Sequence, residues 1–296
     1  MTSTPISEPA QAPAPPPVLE ARDLTVGYGD RAIVRGVSTQ FAPGKVTSII
    51  GPNGCGKSTL LKALSRHLAP QSGSVSVADR DIKQFGVKEL ARIIGMLPQT
   101  PIAPDGIAVA DLVGRGRTPH QGFFGRWSAE DYRVVAQSLE ATGLGDLGER
   151  PVDELSGGQR QRAWIAMALA QRTPVLLLDE PTTYLDLKHQ VEVLDLLTDL
   201  NRSRGTTIVM VLHDLNLAAR YSDQLLAMCD GQILASGAPG EVVTEATLRD
   251  VFDLESRVIE DPVSGTPAVM PVGRWGGGAA EKKEQRPPTL PHAHRH

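Results

Sequence analysis

The first residues that could do chemistry form a glycine-rich run, Gly51–Thr59, which reads Gly-Pro-Asn-Gly-Cys-Gly-Lys-Ser-Thr. The run fits the pattern Gly-x-x-x-x-Gly-Lys-Ser/Thr, in which small residues let successive backbone N–H groups converge on phosphate oxygens. Lys57 would bring a positive charge to the β- and γ-phosphates, and Ser58 would bring a hydroxyl group to Mg²⁺. The sequence therefore predicts a nucleoside triphosphate site made by Gly51, Pro52, Asn53, Gly54, Cys55, Gly56, Lys57, Ser58 and Thr59.

A pair of acids, Asp179 and Glu180, directly follows the apolar residues Val175–Leu178. A carboxylate at the end of a buried strand suits a Mg²⁺ ligand in a phosphate site, and we expect this role for Asp179. Glu180 is then placed to orient or deprotonate a water molecule that attacks the γ-phosphate. Acids also end strands without doing chemistry. Together with a phosphate loop, however, the pair favours hydrolysis by water over transfer to a second substrate.

Two further polar residues, Gln99 and His213, each come just after a predicted strand. Loops at the carboxyl ends of parallel strands converge on ligands, so both side chains could reach the phosphates. Gln99 could contact Mg²⁺ or the attacking water, and His213 could donate a hydrogen bond to the γ-phosphate. Taken singly, each is better explained as an ordinary loop residue or, for His213, as a satisfied histidine, so the prediction depends on their combination.

The elements that must position these residues alternate along most of the chain. Strands are predicted at 18–26, 32–41, 46–50, 73–77, 93–99, 175–180 and 207–212. Helices are predicted at 58–67, 87–92, 128–143, 156–171 and 187–204. This alternation implies a mainly parallel sheet with covering helices, after an antiparallel start and with 73–77 as an edge strand. A hairpin is expected around the Asp230-Gly231 turn.

Two of the predicted helices have an apolar face. One begins with a capping-box pattern at Ser128, and the other is closed by Gly205. The apolar residues that share a face are Tyr132, Val135 and Leu139 in the first and Leu187, Val191, Leu194 and Leu197 in the second. Gly and Pro are frequent at 100–127, where no period is visible, so no element is predicted there.

Composition restricts the class of protein. The 296 residues are 41% hydrophobic and 22% charged with a net charge of −4, which gives no general attraction to nucleic acid or anionic lipid. No apolar run approaches the roughly 20 residues of a membrane span, so a membrane role must work through a partner. The amino terminus lacks a secretion signal and the two cysteines suggest no disulfide framework, so we expect the cytosol. Proline-rich residues 1–17 and the segment 273–296 are predicted to be disordered tails.

A further motif carries a resemblance to a known family. Leu155–Gln159, Leu-Ser-Gly-Gly-Gln, resembles the signature of the ATP-binding cassette (ABC) ATPases and precedes the aspartate strand, as it does in that family. Tyr28 matches the aromatic residue that stacks on adenine. The other matching motifs, in the family's order, are the phosphate loop, Gln99, Asp179-Glu180, Thr183–Asp186 and His213. The resemblance covers residues 18–213, with weaker similarity beyond.

The resemblance implies a fold, cofactors and an assembly. The fold is an α/β P-loop NTPase cassette at 18–272, with a mainly parallel RecA-like sheet, an N-terminal antiparallel β subdomain and an inserted α-helical subdomain at about 100–170. ATP and Mg²⁺ are the implied cofactors. Two cassettes form a head-to-tail homodimer that holds two ATP molecules between phosphate loops and signatures. The residues implied on the signature side are Ser156, Gly157, Gly158, Gln159 and Asp186.

Weaker similarities imply a transport role. Residues 109–113 and 116–120 resemble a segment of ferric-siderophore, haem and vitamin B12 importer ATPases, and 183–187 and 261–267 look most like the ferric-siderophore group. The implied protein powers ferric-siderophore import from the cytoplasmic face of the membrane, through permease subunits and indirectly a substrate-binding protein. A haem or cobalamin importer, or a soluble ABC ATPase of the Fe–S assembly type, is the alternative. No nucleic acid partner is expected.

We expect the permeases to dock on residues 100–125, where Phe123, Phe124 and the nearby Trp127 supply apolar side chains. Cys55 could make the site sensitive to oxidants, but its position needs only a small residue. The histidines of the carboxyl-terminal tail could capture a metal, but a tail without fixed geometry is the simpler explanation. No contact chemistry explains the 261–267 motif beyond a closing strand and turn.

Overall fold

The computed structural model describes residues 16–122 and 126–273. The strands are β1 (Leu19–Tyr28), β2 (Arg31–Phe41), β3 (Val46–Ile50), β4 (Ser72–Val77), β5 (Arg80–Asp81), β6 (Ile94–Leu97), β7 (Val175–Asp179), β8 (Thr207–Val211), β9 (Gln224–Cys229), β10 (Gln232–Gly237), β11 (Ser256–Glu260) and β12 (Pro267–Pro271). The helices are α1 (Lys57–Leu64), α2 (Val87–Ala91), α3 (Val109–Gly114), α4 (Ala129–Ala141), α5 (Gly157–Ala170), α6 (Leu187–Arg204), α7 (Leu215–Tyr221), α8 (Pro239–Val242) and α9 (Glu245–Phe252).

The central sheet has six strands in the order β10-β9-β3-β8-β7-β6. Strands β9, β3, β8, β7 and β6 run parallel, and β10 closes one edge as the antiparallel arm of the predicted hairpin. Every residue of β3, β7 and β8 is buried, as expected for apolar, β-branched strands covered on both faces. The carboxyl ends of β3, β8, β7 and β6 therefore lie side by side at one edge of the sheet.

A second sheet, in the order β2-β1-β4-β5, is antiparallel. Helix α1 packs between the two sheets, because Leu60, Leu61 and Leu64 share one core cluster with residues of both. The α/β class predicted from the sequence is confirmed, with a mainly parallel sheet, an antiparallel sheet near the amino terminus and a group of helices. The prediction of 73–77 as an edge strand was wrong in part, because β4 pairs with β1 on one side and with the short β5 on the other.

The helical group consists of α3, α4 and α5, which pack on one another. A buried ion pair lies at its centre, where Arg117 Nε donates to Asp131 Oδ1 at 2.9 Å. Arg117 Nη1 also donates to the carbonyl of Ala170, the last residue of α5, at 2.9 Å. The predicted capping box of α4 is present, with the Ser128 hydroxyl group accepting from the Asp131 N–H group. These contacts fix α5, whose amino terminus carries the Leu-Ser-Gly-Gly-Gln motif.

Several local predictions need correction. Residues 100–127 are not without structure: they contain α3 and a 3₁₀ turn at Arg115–His120. Tyr132 and Leu187 are exposed rather than part of a buried face, whereas Val193, which was not predicted, is buried. The first helix ends at Leu64 rather than at residue 67. Phe123 and Phe124, most of the amino-terminal tail and nearly all of the carboxyl-terminal tail lie outside the described residues.

Candidate active site

The phosphate loop connects β3 to α1 and curves around the side chain of Lys57. Gly51, Gly54 and Gly56 have φ values of 151°, 80° and 110°, which side chains other than hydrogen rarely allow. At Gly51 a Cβ atom would also lie 2.2 Å from the carbonyl oxygen of Met228, so the neighbouring strand leaves room for glycine alone. Lys57 Nζ is buried and donates to the carbonyl groups of Gly51 and Pro52 at 2.8 and 2.9 Å. The loop thus holds a cation at the positive end of α1.

Cys55 lies on the inner side of this loop. It is buried in the core between the two sheets, and burial raises the pKa of its thiol group. A buried cysteine with a raised pKa carries little reactive thiolate. The geometry supports the prediction that this position needs a small residue rather than a redox-sensitive one.

Asp179, at the end of β7, faces Ser58 at the start of α1. Ser58 Oγ donates to Asp179 Oδ1 at 2.8 Å, while Asp179 Oδ2 is buried and has no hydrogen-bond partner in the described residues. Burial raises the pKa of this carboxyl group. A buried carboxylate oxygen without a partner beside a hydroxyl group matches the oxygen ligands that Mg²⁺ prefers. The residues present therefore fit a magnesium ion.

Glu180 is held on both sides of its carboxylate. Oε1 lies 2.7 Å from His213 Nε2, and Oε2 accepts from Thr183 Oγ1 at 3.1 Å. The side chain is largely buried, and its backbone has a φ of 55°, which is unusual for a residue with a side chain. Left-handed backbone of this kind costs energy and is typical of functional sites. The geometry gives Glu180 a fixed orientation next to the phosphate loop.

A cleft of about 390 Å³ brings most of these residues together. It is lined by Ile33, Asn53, Gly54, Gly56, Lys57, Ser58, Thr59, Gln99, Glu180 and His213. Gln99 follows β6 and His213 follows β8, so four neighbouring strand ends supply this one edge. With a buried lysine on one side and a carboxylate on the other, the cleft can bind a phosphate and present a base to it.

Tyr28 does not line this cleft. It ends β1, its ring is about half exposed, and Lys62 Nζ lies 6.0 Å from the ring centre. An exposed ring near the phosphate helix α1 can stack on a planar group. Its proposed contact with adenine stays a prediction.

The signature residues lie on the surface at the amino terminus of α5. Ser156 Oγ accepts from the Gln159 N–H group at 3.3 Å, and Gln159 Oε1 accepts from the Ser156 N–H group at 3.0 Å. This capping box leaves the N–H groups of Gly157 and Gly158 at the positive end of the helix. A Cβ atom on Gly157 would meet nothing within 4 Å. The motif is a second surface on which an anion can bind.

Asp186 begins α6 and is exposed. Its Oδ1 accepts from the N–H group of His189 at 3.0 Å, and this bond, with the contact to the His189 ring, lowers the pKa of Asp186. The preceding Tyr184 is also exposed and has a φ of 67°. None of Ser156, Gly157, Gly158, Gln159 and Asp186 lines the cleft that contains the phosphate loop.

Two polar contacts were missed by sequence reasoning. Thr183 Oγ1 donates a hydrogen bond to the Glu180 carboxylate. The only sign of this contact in the sequence is that Thr183 follows Glu180 by three residues. Gln161 Nε2, on α5, donates to the carbonyl group of Pro181 at 2.9 Å and so joins the signature helix to the segment after Glu180. A side chain that binds a backbone carbonyl 20 residues away leaves no pattern in the sequence.

Known proteins share these features. The sequence model of the family described as ABC transporter matches residues 34–183. The chain is 50% identical over 262 residues to the ferric enterobactin transport ATP-binding protein of Escherichia coli, covering 88% of this chain and 97% of that protein. It is also 50% identical over 256 residues to the probable siderophore transport system ATP-binding protein of Bacillus subtilis, covering 86% of this chain and 93% of that protein.

Solved structures agree with the sequence relatives. A chain of a protein described as a metal-chelate type ABC transporter, in an inward-facing conformation, superimposes with a TM-score of 0.74 at 30% identity, covering 87% of this chain and 98% of that chain. A dimeric ATP-binding cassette in a post-hydrolysis state, bound to ADP and Pi, gives a TM-score of 0.67 at 27% identity, covering 74% of this chain and 98% of that chain. The combination of phosphate cleft, signature helix and half-identical relatives has one explanation: this chain belongs to the ABC transporter family and is an ATP-binding, ATP-hydrolysing cassette.

Proposed function

We propose that this chain is the ATPase subunit that powers import of a ferric siderophore through separate membrane permeases. The observation that carries the proposal is the 50% identity, over nearly the whole described chain, to relatives named for ferric enterobactin and siderophore transport. The segments 183–187 and 261–267, which resemble the ferric-siderophore group, support the same cargo. Within the described residues no helix has both the length and the apolar character of a membrane span.

In this proposal the phosphate loop holds ATP. Lys57 moves its ammonium group from the loop carbonyls to the β- and γ-phosphates, and the backbone N–H groups of Gly54 and Gly56 contact the same anion. Ser58 and Asp179, which are joined by a hydrogen bond, would hold Mg²⁺ together with Gln99. When bound, the ion supplies positive charge next to the phosphates, which stabilises the negative charge that develops on the phosphate oxygens during hydrolysis.

Glu180 and His213 then perform hydrolysis. Glu180 accepts a proton from the attacking water, and its left-handed backbone with the Thr183 contact keeps the carboxylate aimed at the cleft. His213 Nε2, which lies 2.7 Å from Glu180 Oε1, donates a hydrogen bond to a γ-phosphate oxygen when ATP enters. Tyr28 stacks on the adenine base from the exposed end of β1.

The signature surface serves the second cassette of a head-to-tail homodimer. The free N–H groups of Gly157 and Gly158 meet the γ-phosphate bound by the other copy, and Ser156, Gln159 and Asp186 lie beside this contact. The open space at Gly157 and the exposed side chain of Tyr184 leave the surface accessible to such an approach. Each chain then contributes its cleft to one ATP molecule and its signature to the other.

Permease subunits hold the dimer at the cytoplasmic face of the membrane, and a substrate-binding protein acts indirectly through them. The proposed docking surface is the segment 100–125 with its surroundings. Ile102 of the segment is exposed, and beyond the segment the rings of Trp127 and the exposed Tyr132 pack at a tilt with centres 4.9 Å apart. Apolar side chains grouped on a surface are typical of protein contacts.

Uptake of radioactive iron bound to a siderophore tests the proposal. Cells that lack this gene should lose uptake of the ferric siderophore, and the wild-type gene should restore it while Lys57→Ala should not. Haemin and cobalamin uptake, measured in the same cells, serve as controls for the alternative cargoes. Undiminished ferric-siderophore uptake in the deleted strain, or loss of haemin or cobalamin uptake instead, would contradict the proposal.

A further inference from the structure

The 261–267 motif forms a rigid turn between β11 and β12. Asp261 accepts from the Val263 N–H group at 3.0 Å and from Ser264 Oγ at 2.6 Å, and its backbone bonds close the turn to Gly265 and Thr266 at 2.8 Å each. Gly265 has a φ of 70°, a backbone conformation that glycine adopts readily because it has no side chain. The Asp, Ser, Gly and Thr residues of the motif are therefore explained by one closed turn.

The turn is fastened to the end of helix α7. Arg220 Nη2, in the last turn of α7, donates to Asp261 Oδ2 at 2.7 Å. Hydrogen bonds from Ser264, Val263 and Arg220 lower the pKa of Asp261 to about 2, so the carboxylate is ionised at neutral pH. The contact is therefore a charge-assisted hydrogen bond, which is stronger than a neutral one.

The same hairpin holds the beginning of α7. Asn216 Oδ1 accepts from the N–H group of Val269 on β12 at 2.7 Å, and Asn216 Nδ2 donates to the Val269 carbonyl group at 3.5 Å. The Val269 side chain is buried in the core cluster that contains Leu217 and Ala218 of α7. Hairpin and helix are thus joined by polar contacts at both ends and apolar packing between.

Helix α7 begins at Leu215, two residues after His213. Asp214 caps it, accepting from the N–H groups of Asn216 and Leu217 at 2.8 and 2.9 Å. The backbone of His213 is joined through Asp214 to the first turn of α7, so its position depends on the position of that helix. Its ring lies 2.7 Å from Glu180, so a small shift of α7 would change this distance.

We propose that the β11–β12 hairpin positions His213 for hydrolysis by clamping α7 through Asn216 and Arg220. Asn216 and Arg220 are positioning residues, since they lie on α7 and contact the hairpin rather than the cleft. The inference rests on the proposed role of His213. Tyr221, which donates to Asp195 on α6 at 2.9 Å, holds α7 from another side, so loss of the clamp weakens the alignment without freeing the helix.

Steady-state ATP hydrolysis by the full chain, with its permeases, tests the clamp. Asn216→Ala and Arg220→Ala should each lower kcat by about three- to tenfold, the value of one or two hydrogen bonds, while KM for ATP changes little. Arg220→Lys keeps the ion pair with Asp261 and should restore most of kcat. Arg257→Ala, which removes the contact of the same hairpin with Glu245 on α9, is the matched control and should leave kcat unchanged.

A double variant separates positioning from general stability. In a His213→Ala background, Asn216→Ala and Arg220→Ala should cause no further loss, because both act through the histidine. A further loss in that background, equal to the loss in wild type, would overturn the clamp. If His213→Ala alone leaves hydrolysis unchanged, the proposed role of His213 fails instead, so the two failures are distinguishable. Thermal unfolding of each variant identifies any that has lost its fold.

Discussion

The phosphate cleft and the signature surface differ in how their polar groups are satisfied. At the cleft, Lys57, Asp179 and Glu180 are buried. Lys57 bonds to carbonyl groups of its own loop, whereas the partners of Asp179 and Glu180, Ser58 and His213, come from segments distant in sequence. On the signature surface, the side chains of Ser156 and Gln159 each accept from the other's N–H group, and Gly157 between them faces open space. The cleft is a buried site suited to a phosphate group. The signature surface is formed by one short segment, is exposed to solvent and can contact another molecule.

This difference fits a site divided between two chains. The cleft contains the proposed base Glu180 and the cation Lys57, next to Ser58 and Asp179, which are proposed to hold Mg²⁺. The first turn of α5 contains backbone donors and the positive end of the helix dipole but no acidic side chain. Each region supplies groups that the other lacks. We therefore expect substitutions in the cleft to stop ATP hydrolysis and substitutions on the signature surface to stop association of the two chains.

The largest effect should come from Glu180→Gln. The amide keeps the shape of the side chain but cannot take a proton, so ATP hydrolysis should fall by about a hundredfold or more. ATP affinity, measured by fluorescence with a nucleotide analogue, should stay within about a factor of three, since Glu180 is not proposed to bind phosphate. Glu192→Gln, an exposed acid on α6, is the control. Wild-type turnover in Glu180→Gln would remove Glu180 from this role.

The next effect concerns the stability of the helices behind the signature surface. Arg117→Ala leaves Asp131 buried without its partner and removes the bond to the end of α5, so the free energy of unfolding should fall by about 3–5 kcal/mol. Arg133→Ala removes only an exposed contact with Glu130 and should cost less than about 1 kcal/mol. Urea denaturation measures both. Similar losses for the two variants would contradict the importance of the buried pair.

The buried pair also predicts a pH dependence. Burial alone would raise the pKa of Asp131, but hydrogen bonds from Ser128 and Arg117 outweigh it and lower the pKa from 3.8 to about 2. Because the pKa is lower in the folded state, the stabilisation is fully present above pH 4 and is lost as the pH falls toward 2. The difference in unfolding free energy between wild type and Asp131→Asn should therefore shrink across that range.

Much of the cleft could be predicted from the sequence, because its residues sit at the ends of strongly apolar strands. Val175–Leu178 and Thr207–Leu212 predict strands with little ambiguity, and a parallel sheet brings their carboxyl ends together. The hairpin at Asp230-Gly231 and the cap at Ser128 were also confirmed, because these signals are local.

The rest depended on tertiary contacts that leave no period in the sequence. Helix α3 has six residues, fewer than two turns, so its apolar residues could not be told from those of a loop. Tyr132 lies on the apolar side of α4 by spacing, yet it is turned toward Trp127 at the surface. Asn216 and Gln161 bind backbone groups of distant segments, which no local pattern reveals.

The division of the site between two chains is tested most directly by the oligomeric state of Glu180→Gln. With ATP and Mg²⁺ this variant should sediment as a dimer, and without ATP as a monomer, because the bound nucleotide is not hydrolysed and joins the two chains. Adding Gly157→Arg should abolish the dimer while ATP still binds, whereas Gly240→Arg, also placed in open space at a helix start, should not. An ATP-bound monomer of Glu180→Gln, or a dimer that tolerates Gly157→Arg, would contradict the account.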